Sequence, residues 1–424
     1  MSITWEISEL DNGLRIVTTP VPTAQSVSVN LFVGAGSRGE DERTKGLAHF
    51  LEHMVFKGTE KRPTAIDIAE AIEGAGGVLN AYTSKEMTCY WNQVPFDRLE
   101  LAVDVVTDML MNPLLDQEEV DRERSVVQQE IRRGKDQPGA WCGELLGQAM
   151  FGDQPLGWST AGTEETVQEL QRGDFAAWMD TWYAPRNMVL AVAGNASHKD
   201  VVALAEACVA NGNRAAAPDV LPVNGNLPAQ RVISESRPIA QANLALSVPG
   251  LQRDDPDRYV LQVLNSVMGR GMSSRLFKEV RERRGLAYSV SSSVSRHKDI
   301  GAFTVTAGVS PEKLDEAITV ILEELAKPTE EPVPAEEMTK AKDYTVGSFR
   351  LSLETPMALG QRTGEQLLTM GEIEPIETVV ESVQSVTADD VMRLARRILV
   401  PEKVALSVVG PEIDEGRLRG LLAA

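Results

Sequence analysis

Histidine is scarce in this sequence, with four in 424 residues, and cysteine is scarcer, with three. Cys89, Cys142 and Cys208 are odd in number, widely spaced and form no C-x-x-C pair, so they read as reduced, buried thiols rather than a disulfide framework. Basic residues are in deficit, 42 Lys and Arg against 62 Asp and Glu, for a net charge of -20. That balance argues against a nucleic-acid partner, because gripping a phosphate backbone needs a basic face. It equally disfavours resting on an anionic membrane. No uninterrupted apolar run is long enough to span a bilayer. The opening residues, Met1 to Glu6, show neither a basic n-region nor an apolar h-region, so no secretory signal is read and the cytoplasm is the expected compartment.

The chain holds enough apolar residues, 42%, to build real cores, and its length suggests two or three domains. Asn, Gly, Ala and Pro accumulate from Asn211 to Pro228 without hydrophobic periodicity. This is linker chemistry, and it predicts a first domain over 1–212, a linker over 213–228 and a second domain over 229–424. The two halves resemble each other in order and local detail. In the first, alternating segments flank an Asp11-Asn12-Gly13 turn, a hairpin signal, and Val27, Val29, Leu31 and Val33 then alternate with polar residues. In the second, the segment from Leu244 to Val248 is the comparable strand, and Asp255-Pro256 announces a helix. Each half closes on a helix followed by an apolar strand, Val189 to Gly194 and Val404 to Gly410. Long helices are predicted from Asp116 to Arg133 and from Pro334 to Leu351. The fold class is therefore α+β: two similar tandem domains, each a mainly antiparallel sheet with helices covering one face.

Chemistry concentrates in Gly46-Leu47-Ala48-His49-Phe50-Leu51-Glu52-His53-Met54. His49 and His53 are four apart with Glu52 between them, so a helix carries all three on one face and packs Leu47, Phe50, Leu51 and Met54 on the other. Two imidazoles one turn apart can ligate one zinc ion, and the carboxylate can reach a water on it. This is the inverted form of the H-E-x-x-H zinc motif. A catalytic zinc needs a third protein ligand. His198 and His297 lie in polar, loop-like contexts and are poor candidates. The helix from Asp116 is better: Asp116 and Glu119 form a D-x-x-E version of a capping box. Val120, Val126, Val127 and Ile131 give it a buried side, and Glu123 and Glu130 share a face.

HFLEHMVFKGT (His49 to Thr59), GGVLNAYTSKE (Gly76 to Glu86), DRERSVVQQE (Asp121 to Glu130) and SSRLFKEVRERRGLAYSV (Ser273 to Val290) resemble the pitrilysin/insulinase superfamily of zinc metallopeptidases. Within it the chain is most similar to the bacterial members of the mitochondrial-processing-peptidase branch. The resemblance spans essentially the whole chain and implies the metallohydrolase fold of that branch. It implies Zn2+ held by His49, His53 and Glu130, with Glu52 activating the water. Glu123 would support the site from behind, orienting a ligand. Asn80 and Ala81 match positions that hold substrate backbone, where peptide adds as a strand to a sheet edge. Arg281 and Tyr288 match a pair that reaches the substrate from the second half, although Arg283 and Arg284 nearby show how easily an arginine here is merely solvated. The second half has no His-Glu motif on its helix from Tyr259 to Met268, so it should bind no metal. The stretch Met268 to Met272 lacks the long glycine-rich loop of the family's non-catalytic subunit. The implied protein is a zinc endopeptidase acting on peptides or unfolded segments inside a closed chamber, as a homodimer or a heterodimer with a related subunit. The alternative is a non-catalytic assembly protein, or a peptide-binding subunit, of the same fold.

Overall fold

The computed structural model describes residues 3–209, 216–224 and 231–423. Of the predicted linker, only 216–224 lies among them, and it carries neither helix nor strand. The remainder of that segment lies outside the described residues. Two compact units emerge. The first comprises Met1–Ile131, Ser159–Leu221 and Leu351–Ile376, and the second Arg132–Trp158, Pro222–Arg350 and Glu377–Ala424.

In the first unit, β1 (Glu6–Glu9), β2 (Arg15–Pro20), β3 (Ser26–Val33), β4 (Val78–Thr83), β5 (Thr88–Pro95) and β6 (Met188–Gly194) form one sheet in the order β1-β2-β6-β3-β5-β4. Every pair is antiparallel except β2 with β6. The predicted hairpin closes at Gly13, whose φ of 90° suits glycine. The helices that follow in the chain are α1 (Leu47–Met54), α2 (Ala65–Glu73), α3 (Leu99–Met111), α4 (Gln117–Lys135), α5 (Pro138–Phe151), α6 (Glu164–Glu169), α7 (Arg172–Trp182) and α8 (His198–Cys208).

In the second unit, β7 (Val232–Ser236), β8 (Ala242–Gly250), β9 (Ala287–Arg296), β10 (Gly301–Val309) and β11 (Ala405–Gly410) take the order β7-β11-β8-β10-β9, with β7 and β11 parallel. Its helices include α9 (Arg258–Met268), α10 (Leu314–Glu330) and α11 (Ala335–Leu351), and α12 (Pro356–Met370) follows them in the chain.

Helices lie on both faces of each sheet, not on one. Strand β3 is buried throughout its length after Ser26. Its Val27, Val29, Leu31 and Val33 enter the core that also holds α1 and α3. Its opposite face meets α12, and a Cβ on Gly364 would stand 2.3 Å from the Phe32 ring. Correspondingly, α5 lies on the second sheet, where the Cys142 thiol sits 3.3 Å from the carbonyl of Asn243. The compact units therefore do not coincide with a cut at the linker. Each half sends one helix to cover the second face of the other half's sheet, because a sheet whose two faces are both apolar needs a layer on each.

Two local expectations are corrected. Val126 is 40% exposed, and the buried stripe of α4 runs through Val120, Val127 and Ile131 instead, as spacings of seven and four require. Asp116 does accept the N–H of Glu118, but Glu119 is ion-paired with Arg122.

Candidate metal centre

Helix α1 is only eight residues long. Leu47, Phe50, Leu51 and Met54 are all essentially buried, which anchors one side and leaves His49, Glu52 and His53 half-buried on the other. Its N-terminus has no cap of its own, since Gly46 sits at φ 91°. The buried Glu40 fills that role: its two carboxylate oxygens accept the N–H groups of Gly46, at 2.9 Å, and Ala48, at 2.8 Å. Helix α4 is fixed by its buried stripe and presents Glu123 and Glu130 to α1.

The Nε2 atoms of His53 and His49 lie 3.4 and 3.8 Å from the same oxygen, Oε2 of Glu130. One donor atom from each of the three side chains falls within 4.8 Å of the others. A tetrahedral zinc bound at 2.0–2.1 Å by nitrogen and oxygen separates its ligand atoms by about 3.4 Å. The donor set and its spacing therefore fit zinc with little adjustment. The Nδ1 of His53 donates to Oε1 of Glu123 at 2.9 Å, and Lys57 binds the other oxygen of Glu123 at 2.5 Å. That chain fixes the His53 tautomer with Nε2 turned toward Glu130. The Nδ1 of His49 is buried with no hydrogen-bond partner among the described residues.

The electrostatics separate the two imidazoles. Burial, helped by the neighbouring His53, pulls His49 down to about 4. Burial acts downward on His53 too, but the hydrogen bond to Glu123 and the charges of Glu130, Glu123 and Glu52 outweigh it and leave its pKa raised. Burial raises Glu52, and a 2.5 Å hydrogen bond donated by Thr83 works against that rise. Glu123 ends below its ordinary value: burial would raise it, and His53 and Lys57 overcome that.

Beside the cluster lies a cavity of about 360 Å³ lined by Glu52, His53, Phe56, Ile68, Leu79 and Asn80. Asn80 and Ala81 lie on β4, which ends the sheet and, among the described residues, pairs on one side only, with β5. Arg281 and Tyr288 belong to the second unit. There the Arg281 guanidinium stands 4.8 Å from the Phe277 ring and 5.7 Å from the Tyr288 ring, on a π-helical turn from Phe277 to Arg283. Tyr288 is 81% exposed. The sequence reading passed over Glu40, Lys57 and Thr83. Lys57 stands four after His53, a spacing that could have flagged it, and Thr83 stands two after Ala81 on the same strand face.

An α+β unit in which two histidines and a glutamate converge on one point defines a class of candidate metal-binding protein. Residues 15–164 match the family described as insulinase (peptidase family M16), and 169–344 match the peptidase M16 inactive domain. The chain is 39% identical to an uncharacterized zinc protease of Streptomyces coelicolor, over 96% of this chain and 89% of that one. It is 35% identical to the uncharacterized zinc protease YmxG of Bacillus subtilis, over 94% and 97%. The chain belongs to the insulinase family of M16 peptidases. In fold it is similar to a protease from Helicobacter pylori, with a TM-score of 0.88 at 22% identity and coverage of 97% and 100%. A subunit of complex III from Candida albicans shares the fold at a TM-score of 0.81 and 19% identity, covering 98% of this chain and 99% of that one.

Proposed function

We propose that the protein is a zinc-dependent endopeptidase. The observation that carries this reading is the convergence of His49, His53 and Glu130 beside Glu52. Histidines 49 and 53 and Glu130 would hold the metal, and Glu123 orients His53 from behind. When bound, zinc would lower the pKa of a water and polarise the scissile carbonyl. Glu52 accepts the proton as the water attacks and returns it to the departing amine. Because Thr83 occupies one oxygen of Glu52, the other is left to take that proton. Peptide lies along the free edge of β4, held through its main chain by Asn80 and Ala81. Arg281 and Tyr288 would contact the substrate from the second unit. The substrates are peptides or unfolded segments, taken into a chamber closed by a second copy or a related subunit, in the cytoplasm. No described helix is long and apolar enough to cross a membrane.

Incubating the pure protein with a mixed peptide library, with and without a chelator, tests this. Fragments that vanish with chelator and return with zinc are expected. Glu52→Gln should keep zinc and lose hydrolysis by about 10²–10⁴-fold, whereas His49→Ala should lose both. Intact peptides under every metal condition would instead favour the assembly or peptide-binding reading.

A further inference from the structure

The second unit repeats the order of the first: β8, α9, β9, β10, α10, α11 follow the same path as β3, α1, β4, β5, α3, α4. Helix α9 therefore stands where α1 stands, and α11 where α4 stands. Matching the positive-φ glycine that follows each helix sets the register. Gly58 and Gly271, four and three residues past their helices, both take positive φ, 141° and 81°. Buried Val120, Glu123 and Val127 of α4 correspond to buried Met338, Ala341 and Thr345 of α11. His53 is thus replaced by Ser266, Lys57 by Arg270 and Glu123 by Ala341. In the first unit, Lys57 is neutralised by Glu123 at 2.5 Å. In the second, the cation is retained and its carboxylate is gone.

A cavity of about 290 Å³ opens between α9 and α11, lined by Ser266, Arg270, Ser273, Lys278, Lys340 and Tyr344. Its two carboxylates are engaged: Glu337 takes Arg275 in two bonds of 2.9 and 2.7 Å, and Glu336 takes Lys340 at 2.7 Å. Among the described residues, neither Arg270 nor Lys278 makes an ion pair. The Arg270 guanidinium lies 5.9 Å from the Tyr344 ring. In a chain with 62 acidic and 42 basic residues, two cations facing one cleft outside any ion pair, where Glu337 and Glu336 bind Arg275 and Lys340 and Glu336 acts on Lys278 through its charge alone, mark a place where an anion is gained.

We propose that this cleft, the second unit's counterpart of the metal centre, binds a small oxyanion, a phosphate or carboxylate group, between Arg270 and Lys278, in the space that Glu123 fills in the first unit. Ser266 and Ser273 line the same space, with the Ser266 hydroxyl bonded to that of Thr345 at 2.7 Å.

Calorimetric titration of the full-length protein at low salt with inorganic phosphate, and separately with acetate, tests it. Saturable binding at about 1 mM or tighter is expected for at least one, and which one binds identifies the source. Arg270→Gln should weaken it about tenfold or more. Ala341→Glu restores a carboxylate beside Arg270 and, in protein that still melts cooperatively, should abolish binding, at some cost in melting temperature because Ala341 is buried. Should Ala341→Glu fail to fold, Arg270→Gln with Lys278→Gln decides alone. Undiminished binding in these variants, or no saturable binding of either anion, overturns the proposal.

Discussion

At the residue scale, the chemistry turns on how Glu52 is held. Its carboxyl is half-buried, and burial pushes its pKa up, which disfavours the ionised form that a general base needs. The hydroxyl of Thr83 donates to it at 2.5 Å, and the Thr88 hydroxyl lies 3.4 Å from that of Thr83. A hydrogen bond to a charged group contributes about 1.5–3 kcal/mol, so the Thr83 bond favours the ionised form against the effect of burial. Thr83→Val should therefore lower kcat by roughly tenfold or more, with zinc content unchanged and KM little affected. It should also move the acidic limb of the pH–kcat profile upward, because Glu52 then ionises at higher pH. Thr83→Ser should restore both. An unshifted acidic limb in the valine variant would remove Thr83 from this role. His49, Glu52 and His53 were legible because one short helix carries them all. Thr83 was not: its partner lies on a distant element, and only the strand pairing of β4 brings it there.

At the scale of elements, α1 holds its side chains in place without a cap from its own sequence. Gly46 is required there, since a Cβ would stand 2.5 Å from the carbonyl oxygen of Ala161, and glycine offers no side chain to the free N–H groups. Glu40 supplies both acceptors from outside the helix. Burial raises its pKa to about 8 from an ordinary 4.5, and the two N–H bonds offset that only in part. The folded protein therefore holds this proton more tightly than the unfolded chain. Between pH 4.5 and 8 the native state binds more protons, so Glu40 makes stability fall as pH rises through that window. In Glu40→Gln this contribution disappears. Thermal melts of the two proteins from pH 5 to 8 should converge or cross as pH rises; parallel curves would mean that Glu40 titrates at its ordinary value. The same interplay explains what the sequence could reveal of the helices. Periodicity placed α4 and α11 to within a residue or two, since buried stripes are local patterns. It did not separate Val126 from Val127, adjacent valines of which only tertiary packing decides which turns inward.

At the scale of the molecule, duplication was legible and the exchange of helices was not. Repeated strands and helices announce two similar units, but nothing in the composition of α5 or α12 says which sheet either one covers. The consequence for stability is concrete. Val17, Phe32, Cys89, Val189 and Ala191 form a buried apolar face of the first sheet together with Leu367 and Ile373. Arg15 also donates to the carbonyl of Leu367 at 2.7 Å. All of these strand residues precede the linker, and the segment that covers them follows it. A fragment ending at residue 212 keeps every proposed metal ligand and would pass for a complete catalytic domain by sequence alone. Without α12 it exposes a contiguous apolar face on a central sheet, a surface that isolated proteins rarely tolerate. That fragment should aggregate or bind a hydrophobic dye when expressed by itself. Co-expression with residues 213–424 should return a soluble complex that binds zinc. A fragment 1–212 that is monomeric, dye-negative and cooperative in melting would show that α12 is dispensable to the first sheet. The exchange would then be an accident of duplication and not the reason that the two halves remain on one chain.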